Sequence, residues 1–250
     1  MIRRWLTVVW AGALAAALLG CGDANLFDGL SEDTSAARVE AAKIAIDDGR
    51  FSEAIAILEG LCGADTAAPT CDDETATLLA AAYAGRGGLN TFDLIPNVVN
   101  TNSGSAAGGF ASFSTLFLAP TADQKNDMHV AVAILSNLSN PSSDQSLQLA
   151  IVAMTDIVIT LGVDLTGGFQ PNTGLPNNRP DLSTVQSAET ADQTVTRTSE
   201  DLALVVQGVN GTGLVNEDVI DDINQVRSTM DVNHDGTVSP AEVQAFVFNL

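Results

Sequence analysis

The sequence predicts an all-α fold, and three observations support this prediction. Apolar residues recur at helical spacing along much of the chain, and no segment requires the alternating pattern of a β-strand. Capping boxes of the S/T-x-x-Q form, Thr121 with Gln124 and Ser142 with Gln145, mark two helix starts. The second box opens the segment SLQLAIVAMTDIVITL, which is apolar on nearly every side. Such a helix is typical of the buried centre of a helical bundle.

Residues 1–20, MIRRWLTVVWAGALAAALLG, have a basic start followed by an apolar run, which is the form of an export signal. The run LLGC, 18–21, resembles the lipobox of bacterial lipoproteins. That resemblance implies an acylated Cys21, a membrane anchor made of lipid and a place in the cell envelope. Gly22 follows the cysteine, and by the rule of that family we expect the outer membrane, facing the periplasm. A plain transmembrane anchor is the alternative, but the apolar stretch is short.

The chain is strongly acidic, with 31 acidic and 10 basic residues. Removal of residues 1–20 takes Arg3 and Arg4 away and leaves a net charge of −23. Such a body repels phosphate backbones and anionic headgroups, so we expect no nucleic-acid partner. It suits divalent cations or basic proteins, although solubility accounts for most of the charge.

Cys62 and Cys71 are the cysteines that remain beside Cys21. In an oxidising compartment we expect them to form a disulfide. A metal site is disfavoured because no histidine or further cysteine lies nearby to complete a ligand set.

The chain is expected to comprise five segments: a leader at 1–20, a tether at 21–35, helical hairpins at 36–100, a bundle core with loops at 101–182, and a C-terminal helical segment at 183–250.

Three helices are predicted in the hairpin segment. AARVEAAKIAIDDGR ends at Gly49, FSEAIAILEGL follows with Ser52 as its N-cap, and a third helix runs from about Asp73 to the Gly87–Gly88 break. The segments resemble tetratricopeptide repeats, which implies a helical surface for binding a peptide or protein. The positions that match are Ala42, Gly49, Phe51, Ala54 and Leu58 in one repeat, and Leu79, Ala80, Tyr83, Gly87 and Leu89 in the next.

Two further features precede the C-terminal segment. Phe110, Phe113 and Phe117 lie at helical spacing, as core residues or as a docking strip. In the central helix, Asp156 is expected to share a narrow polar stripe with Gln148 and to have no catalytic role.

The stretch DVNHDGTVSPAE, 231–242, meets every position of the pattern D-x-[DN]-x-[DN]-G-x₅-E. It resembles the loop of an EF-hand, which implies a Ca²⁺ site built from hard oxygen ligands. Gly236 occupies the sharp turn of that loop. The ligands implied are Asp231, Asn233, Asp235, the carbonyl of Thr237, Ser239 through a water molecule, and Glu242.

An alternative explains part of the same stretch without a metal. Ser239 and Glu242, with a proline between them, also form a capping box for the last helix. This accounts for only the final four of the twelve residues.

EF-hand loops usually occur in pairs, so a second loop was sought upstream. The segment GVNGTGLVNEDV, 208–219, aligns with the first loop at several positions but lacks the acids at positions 1, 5 and 12. We expect a vestigial partner whose Val215 meets Val238. An ordinary glycine-rich turn is the alternative.

Catalytic motifs are not recognisable in the sequence. His129 has no nucleophile motif beside it, His234 occupies a loop position that supplies no ligand, and no phosphate-binding glycine motif occurs. We therefore expect a non-enzymatic, calcium-binding envelope protein with a structural or protein-interaction role and an envelope protein as partner. The alternatives are an accessory factor for envelope assembly or export, with incidental calcium, and an enzyme of unrecognised type.

Overall fold

The structure is a computed structural model of the 250-residue chain. It describes residues 34–63, 65–66, 68–89, 114–174, 176–177, 191–211, 228, 230–236 and 238–249. The α-helices in these stretches are α1 Ser35–Asp47, α2 Phe51–Cys62, α3 Asp73–Arg86, α4 Ala122–Ser136, α5 Ser143–Leu161, α6 Ala191–Gly211 and α7 Pro240–Asn249, and a π-helical turn, Gly162–Thr166, follows α5. The described residues contain no strand, only an isolated antiparallel bridge between Phe169 and Pro176. The predicted all-α fold is confirmed.

The contacts of the chain define two units, Met1–Arg38 and Val39–Leu250. In the first unit, Thr34 Oγ1 accepts the backbone N–H of Ala37 at 3.2 Å and so satisfies one of the free donors at the start of α1. The leader and Cys21 lie outside the described residues, as do the boundaries at 100 and 182, and all remain predictions.

α2 and α3 pack closely where Phe51 meets Gly85. A Cβ atom on Gly85 would lie 2.3 Å from Cε1 of the Phe51 ring, so a larger residue would displace the ring. Further along this interface, Tyr83 donates a hydrogen bond to Glu59. Burial and that carboxylate raise the pKa of Tyr83 to about 12. Phe51 and Tyr83 are both positions of the tetratricopeptide resemblance, and the repeat itself stays a prediction.

The start of α2 differs from the prediction. The helix begins at Phe51, and its N-cap is Arg50, with no capping hydrogen bond from a side chain. The Arg50 carbonyl accepts the N–H groups of Glu53 and Ala54, each at 3.1 Å. Ser52 was therefore wrong as the N-cap. We attribute the shift to the contact of Phe51 with Gly85, which favours Phe51 in the first turn.

Each helix from α2 to α7 packs on the next one in the sequence. Long connections join α3 to α4 and α5 to α6. Arg86 at the end of α3 donates to both carboxylate oxygens of Asp127 on α4, at 2.7 and 2.8 Å. Both predicted capping boxes are present, at the starts of α4 and α5. Phe117 is buried ahead of α4, whereas Phe110 and Phe113 lie outside the described residues.

α5 is the central helix, as predicted, and it packs against both α4 and α6. Among the described helices it is the one long and apolar enough to cross a membrane, with a mean hydropathy of 1.9 over its best window, but 78% of that window is buried inside the protein. Burial of this extent is typical of a core helix. Asp156 is 0% exposed whereas Gln148 is exposed, so the predicted shared polar stripe is wrong.

Candidate metal centre

The stretch 231–242 leads from the helical residue Met230 into α7. Met230 and Val243 on either side of it are fully buried, which anchors both ends of the stretch in the core. Ser199 of α6 donates a hydrogen bond from its hydroxyl to the carbonyl of Val238. The candidate loop is therefore held against α6 through its second half. Thr237, which would supply a carbonyl ligand, lies outside the described residues.

Asp231 organises the first half of the loop. Its Oδ1 accepts the N–H of Asp235 at 3.1 Å and its Oδ2 accepts the N–H of Gly236 at 2.9 Å. Asn233 Oδ1 also accepts the N–H of Asp235, at 2.8 Å. The chain turns tightly here, with φ at +58° for His234 and +86° for Gly236. Glycine suits the second of these positions because it has no Cβ to clash in the left-handed region.

Glu242 closes the loop from its other end. Its Oε1 accepts the N–H of Asn233 at 3.1 Å, whereas Oε2 accepts the N–H and the hydroxyl of Ser239 at 2.9 and 2.7 Å. The N–H of Ser239, then its hydroxyl, then the N–H of Asn233 lower the pKa of this carboxyl group. Glu242 is thus ionised and joins the two halves of the loop.

The hydrogen bonds of this stretch include one expected of a helix cap and one expected of a cation-binding loop. The bond from Ser239 N–H to Glu242 is one half of a capping box. The bond from Asn233 N–H to Glu242 reaches nine residues back and has no place in a cap. It is what a side chain at the twelfth position of a cation-binding loop would make when it points into that loop.

The side chains of the loop have the chemistry that a cation site needs. Asp231, Asn233, Asp235, Ser239 and Glu242 offer the hard oxygen atoms that Ca²⁺ prefers. Within the described part of the chain, however, no three acidic, histidine or cysteine side chains converge as a ligand set. Coordination would therefore require the carboxylates of Asp231, Asp235 and Glu242 to come closer together, with Glu242 giving up hydrogen bonds to Ser239 or Asn233.

The second, vestigial loop was predicted over 208–219. The first four of these residues form the last turn of α6, and the rest lie outside the described residues. Its proposed contact through Val215 stays a prediction.

The predicted disulfide is present. The sulfur atoms of Cys62 and Cys71 are 2.01 Å apart, and the bond joins the end of α2 to the connection before α3. Thr70 fixes the same connection, because its N–H and its hydroxyl both donate to the carbonyl of Cys62, at 2.8 and 2.9 Å.

Sequence reasoning missed a cluster of charged side chains inside α4, α5 and α6. His129 Nε2 lies 3.1 Å from Oδ1 of Asp156 and 3.1 Å from Oγ1 of Thr160. The carboxyl group of Asp156 in turn lies beside that of Asp201 on α6 and raises the pKa of Asp201. A histidine that we assigned no role thus links two helices through a buried carboxylate.

One turn away, a second buried pair continues the cluster. Lys125 Nζ lies 3.1 Å from both oxygens of Asp164, which also accepts the hydroxyl of Thr194 at 3.0 Å. The sequence contained one signal of this cluster, which was polar residues spaced four positions apart. Lys125 and His129 are four residues apart, as are Arg197 and Asp201, and Asp156, Thr160 and Asp164 continue the same spacing.

Comparisons with protein-family models, with curated proteins and with solved structures give no match for this chain.

Proposed function

We propose that this is a calcium-binding, lipid-anchored protein of the bacterial cell envelope with a structural or protein-interaction role. The observation that carries the calcium proposal is the contact between Glu242 and the N–H of Asn233. It brings the last acidic position of the loop to the first half, where Asp231 already binds two backbone N–H groups. A cation bound there would replace these internal bonds with oxygen coordination from both halves.

Calcium would order the C-terminus against the bundle. The loop is joined to α6 by the Ser199–Val238 hydrogen bond, and α7 packs on the same helix. Neutralising the loop carboxylates removes repulsion among Asp231, Asp235 and Glu242, so the position of α7 becomes more firmly fixed. The proposed partner is an envelope protein that recognises this ordered end.

A melting experiment tests the proposal. With three carboxylate ligands on a loop whose partner is vestigial, we expect a Kd of about 10⁻⁵ to 10⁻³ M. At a calcium concentration of about 100 Kd, binding to the folded chain alone adds about 2.7 kcal/mol. For a chain of this size this corresponds to a rise in Tm of about 5 to 10 °C.

The controls separate calcium binding from helix capping. Magnesium at the same concentration should raise the Tm less, because it requires a tighter octahedral shell. If Ser239 and Glu242 serve only as a cap, neither ion moves the Tm beyond the effect of ionic strength. Sodium chloride at the same ionic strength measures that effect.

The lipid anchor is proposed from the lipobox resemblance at LLGC. Mass spectrometry of the N-terminal peptide tests it, because acylation adds a large apolar mass to Cys21. An unmodified Cys21 in protein isolated from membranes would remove this part of the proposal.

A further inference from the structure

Two aspartate side chains face each other in the interface between α5 and α6. Asp156 is 0% exposed and Asp201 is 2% exposed, and their carboxyl groups are close enough to interact directly. A hydrogen bond between two carboxyl groups requires a proton on one of them, since an ionised carboxylate can only accept. Oδ2 of Asp201 is enclosed and meets no N–H or O–H donor among the described residues. A shared proton provides the donor that this arrangement needs.

Electrostatics favours the same state. Two ionised carboxylates in contact inside a protein repel each other strongly, and each would also lose its hydration. Burial raises the pKa of Asp201 well above the ordinary value, and the charge of Asp156 raises it further. Arg197 on the same helix and His129 on α4 oppose this rise without cancelling it.

The surrounding charges show which carboxyl group keeps the negative charge. Asp156 is bound by His129 at 3.1 Å and is within 3.4 Å of the Thr160 hydroxyl. The buried lysine of α4, Lys125, is paired with Asp164. On α7, which also packs against α6, Glu242 is bound by Ser239 and Asn233. Asp156 is therefore the ionised member of the pair, and Asp201 is the member that carries the proton.

We propose that Asp156 and Asp201 share one proton and thereby form a pH-sensitive lock between α5 and α6. While the proton is bound, it joins the two helices. As the pH rises, the proton passes to solvent and leaves two negative charges in the interface. The side chain of His129, which is 14% exposed, lies at the edge of the cluster that reaches solvent. Both carboxyl groups are enclosed, so the pair acts on the packing of the helices and not on a substrate.

The proton shared by Asp156 and Asp201 also affects the C-terminal loop, because α6 carries Asp201 and contacts that loop. Ser199, two residues before Asp201, holds the carbonyl of Val238. Loosening of α6 at high pH would therefore also release the support of the loop. The acid pair does not depend on calcium, so it can be tested whether or not the loop binds a cation.

The sign of the pH dependence follows from the raised pKa. Below the ordinary aspartate pKa, the folded and unfolded chains both hold the proton, so the contribution is fully present. Above it, the unfolded chain releases the proton while the folded chain keeps it, and stability falls as the pH rises. The fall ends when the folded chain also releases the proton. Other acidic groups titrate too, so the comparison must be between matched variants.

The experiment is urea denaturation of the purified protein at pH 5, 7 and 9, followed by circular dichroism. Asp201→Asn keeps the shape and a donor for Asp156 but has no proton to lose. Between the pKa of Asp201 in the unfolded chain and its raised pKa in the folded chain, we expect the unfolding constant of the wild type to rise relative to that of Asp201→Asn. The rise should be up to tenfold per pH unit. Asp144→Asn is the matched control on the exposed start of α5, and its ratio to the wild type should stay constant with pH. A ratio for Asp201→Asn that is equally constant would overturn the proposal.

If Asp201→Asn does not fold, titration of the aspartate carboxyl groups in the wild type tests the proposal instead. Carboxyl-carbon NMR of the wild type should show one aspartate that stays protonated at a pH where exposed aspartates have ionised. If every aspartate ionises in the ordinary range, Asp156 and Asp201 do not share a proton and the lock does not exist.

Discussion

Gly208 allows a quantitative test of how closely α5 and α6 approach. A Cβ atom at this position would lie 2.5 Å from the carbonyl oxygen of Ser146 and 2.8 Å from the backbone nitrogen of Ala150. Both atoms belong to the backbone of α5, so no side-chain rotation relieves the overlap. Gly208→Ala therefore requires α6 to move away from α5 along the interface that also contains Asp156 and Asp201.

The expected magnitude combines two opposing effects. Overpacking a tight interface costs about 1 to 3 kcal/mol, and contact with backbone puts this case in the upper part of the range. Alanine gains about 1 kcal/mol over glycine within a helix. The net loss in the free energy of unfolding is then about 1 to 2 kcal/mol.

Urea denaturation followed by circular dichroism measures this loss. The matched control is Gly60→Ala, the same change at an exposed position within α2. It should stabilise the protein by roughly 0.5 to 1 kcal/mol, because only the helix preference acts. If Gly208→Ala is as stable as Gly60→Ala, the close approach of α5 and α6 is wrong, and with it the enclosure of the acid pair.

Three other predictions concern the cysteines. Reduction of the Cys62–Cys71 bond should lower the free energy of unfolding by about 2.6 kcal/mol, the chain-entropy value for a separation of nine residues, as measured by the urea midpoint with and without reductant. Thiol titration of the denatured, unreduced protein should find no free thiol. One thiol would mean that Cys21 is not acylated, and two or more would mean that the disulfide is absent. Cys21→Ser should move the protein from the membrane fraction to the soluble fraction, and retention in the membrane would show that the anchor does not depend on lipid.

Much of the fold could be predicted because its signals are local. The capping boxes at Thr121 and Ser142 involve residues three positions apart, and the sequence shows both partners. The apolar character of α5 likewise predicts burial whatever surrounds it. The disulfide follows from the number of cysteines together with the predicted oxidising compartment.

The misses have tertiary causes. Ser52 is an acceptable N-cap in isolation, but the contact between Phe51 and Gly85, 34 positions apart in sequence, places the start of α2 two residues earlier than expected. Asp156 was expected on a polar stripe because the sequence of α5 alone does not show which residues of other helices bury it. The groups that make its burial tolerable, His129 and Asp201, come from α4 and α6. Complementary polar residues at i and i+4 on several apolar helices would have indicated such a cluster.

The candidate loop depends partly on local sequence and partly on tertiary contacts. Its ligand pattern is contained in twelve consecutive residues, so the sequence can propose the site. The inward turn of Glu242 toward Asn233 is a property of the folded loop, which no spacing rule provides.

Calorimetric titration of calcium into the purified protein tests the central claim most directly. Four proteins are compared: the wild type, Asp235→Asn, Glu242→Gln and the distant control Asp144→Asn. Asp235→Asn is the cleanest variant, because the contacts of Asp231 and Asn233 to residue 235 use its backbone N–H, which asparagine keeps. The account predicts one calcium ion per chain for the wild type and for Asp144→Asn, with a Kd of about 10⁻⁵ to 10⁻³ M. Each loop variant should bind roughly tenfold more weakly or worse, a loss of at least about 1.4 kcal/mol. No calcium heat from the wild type at millimolar calcium, or equal affinities in all four proteins, would contradict the account and leave DVNHDGTVSPAE as the start of the last helix.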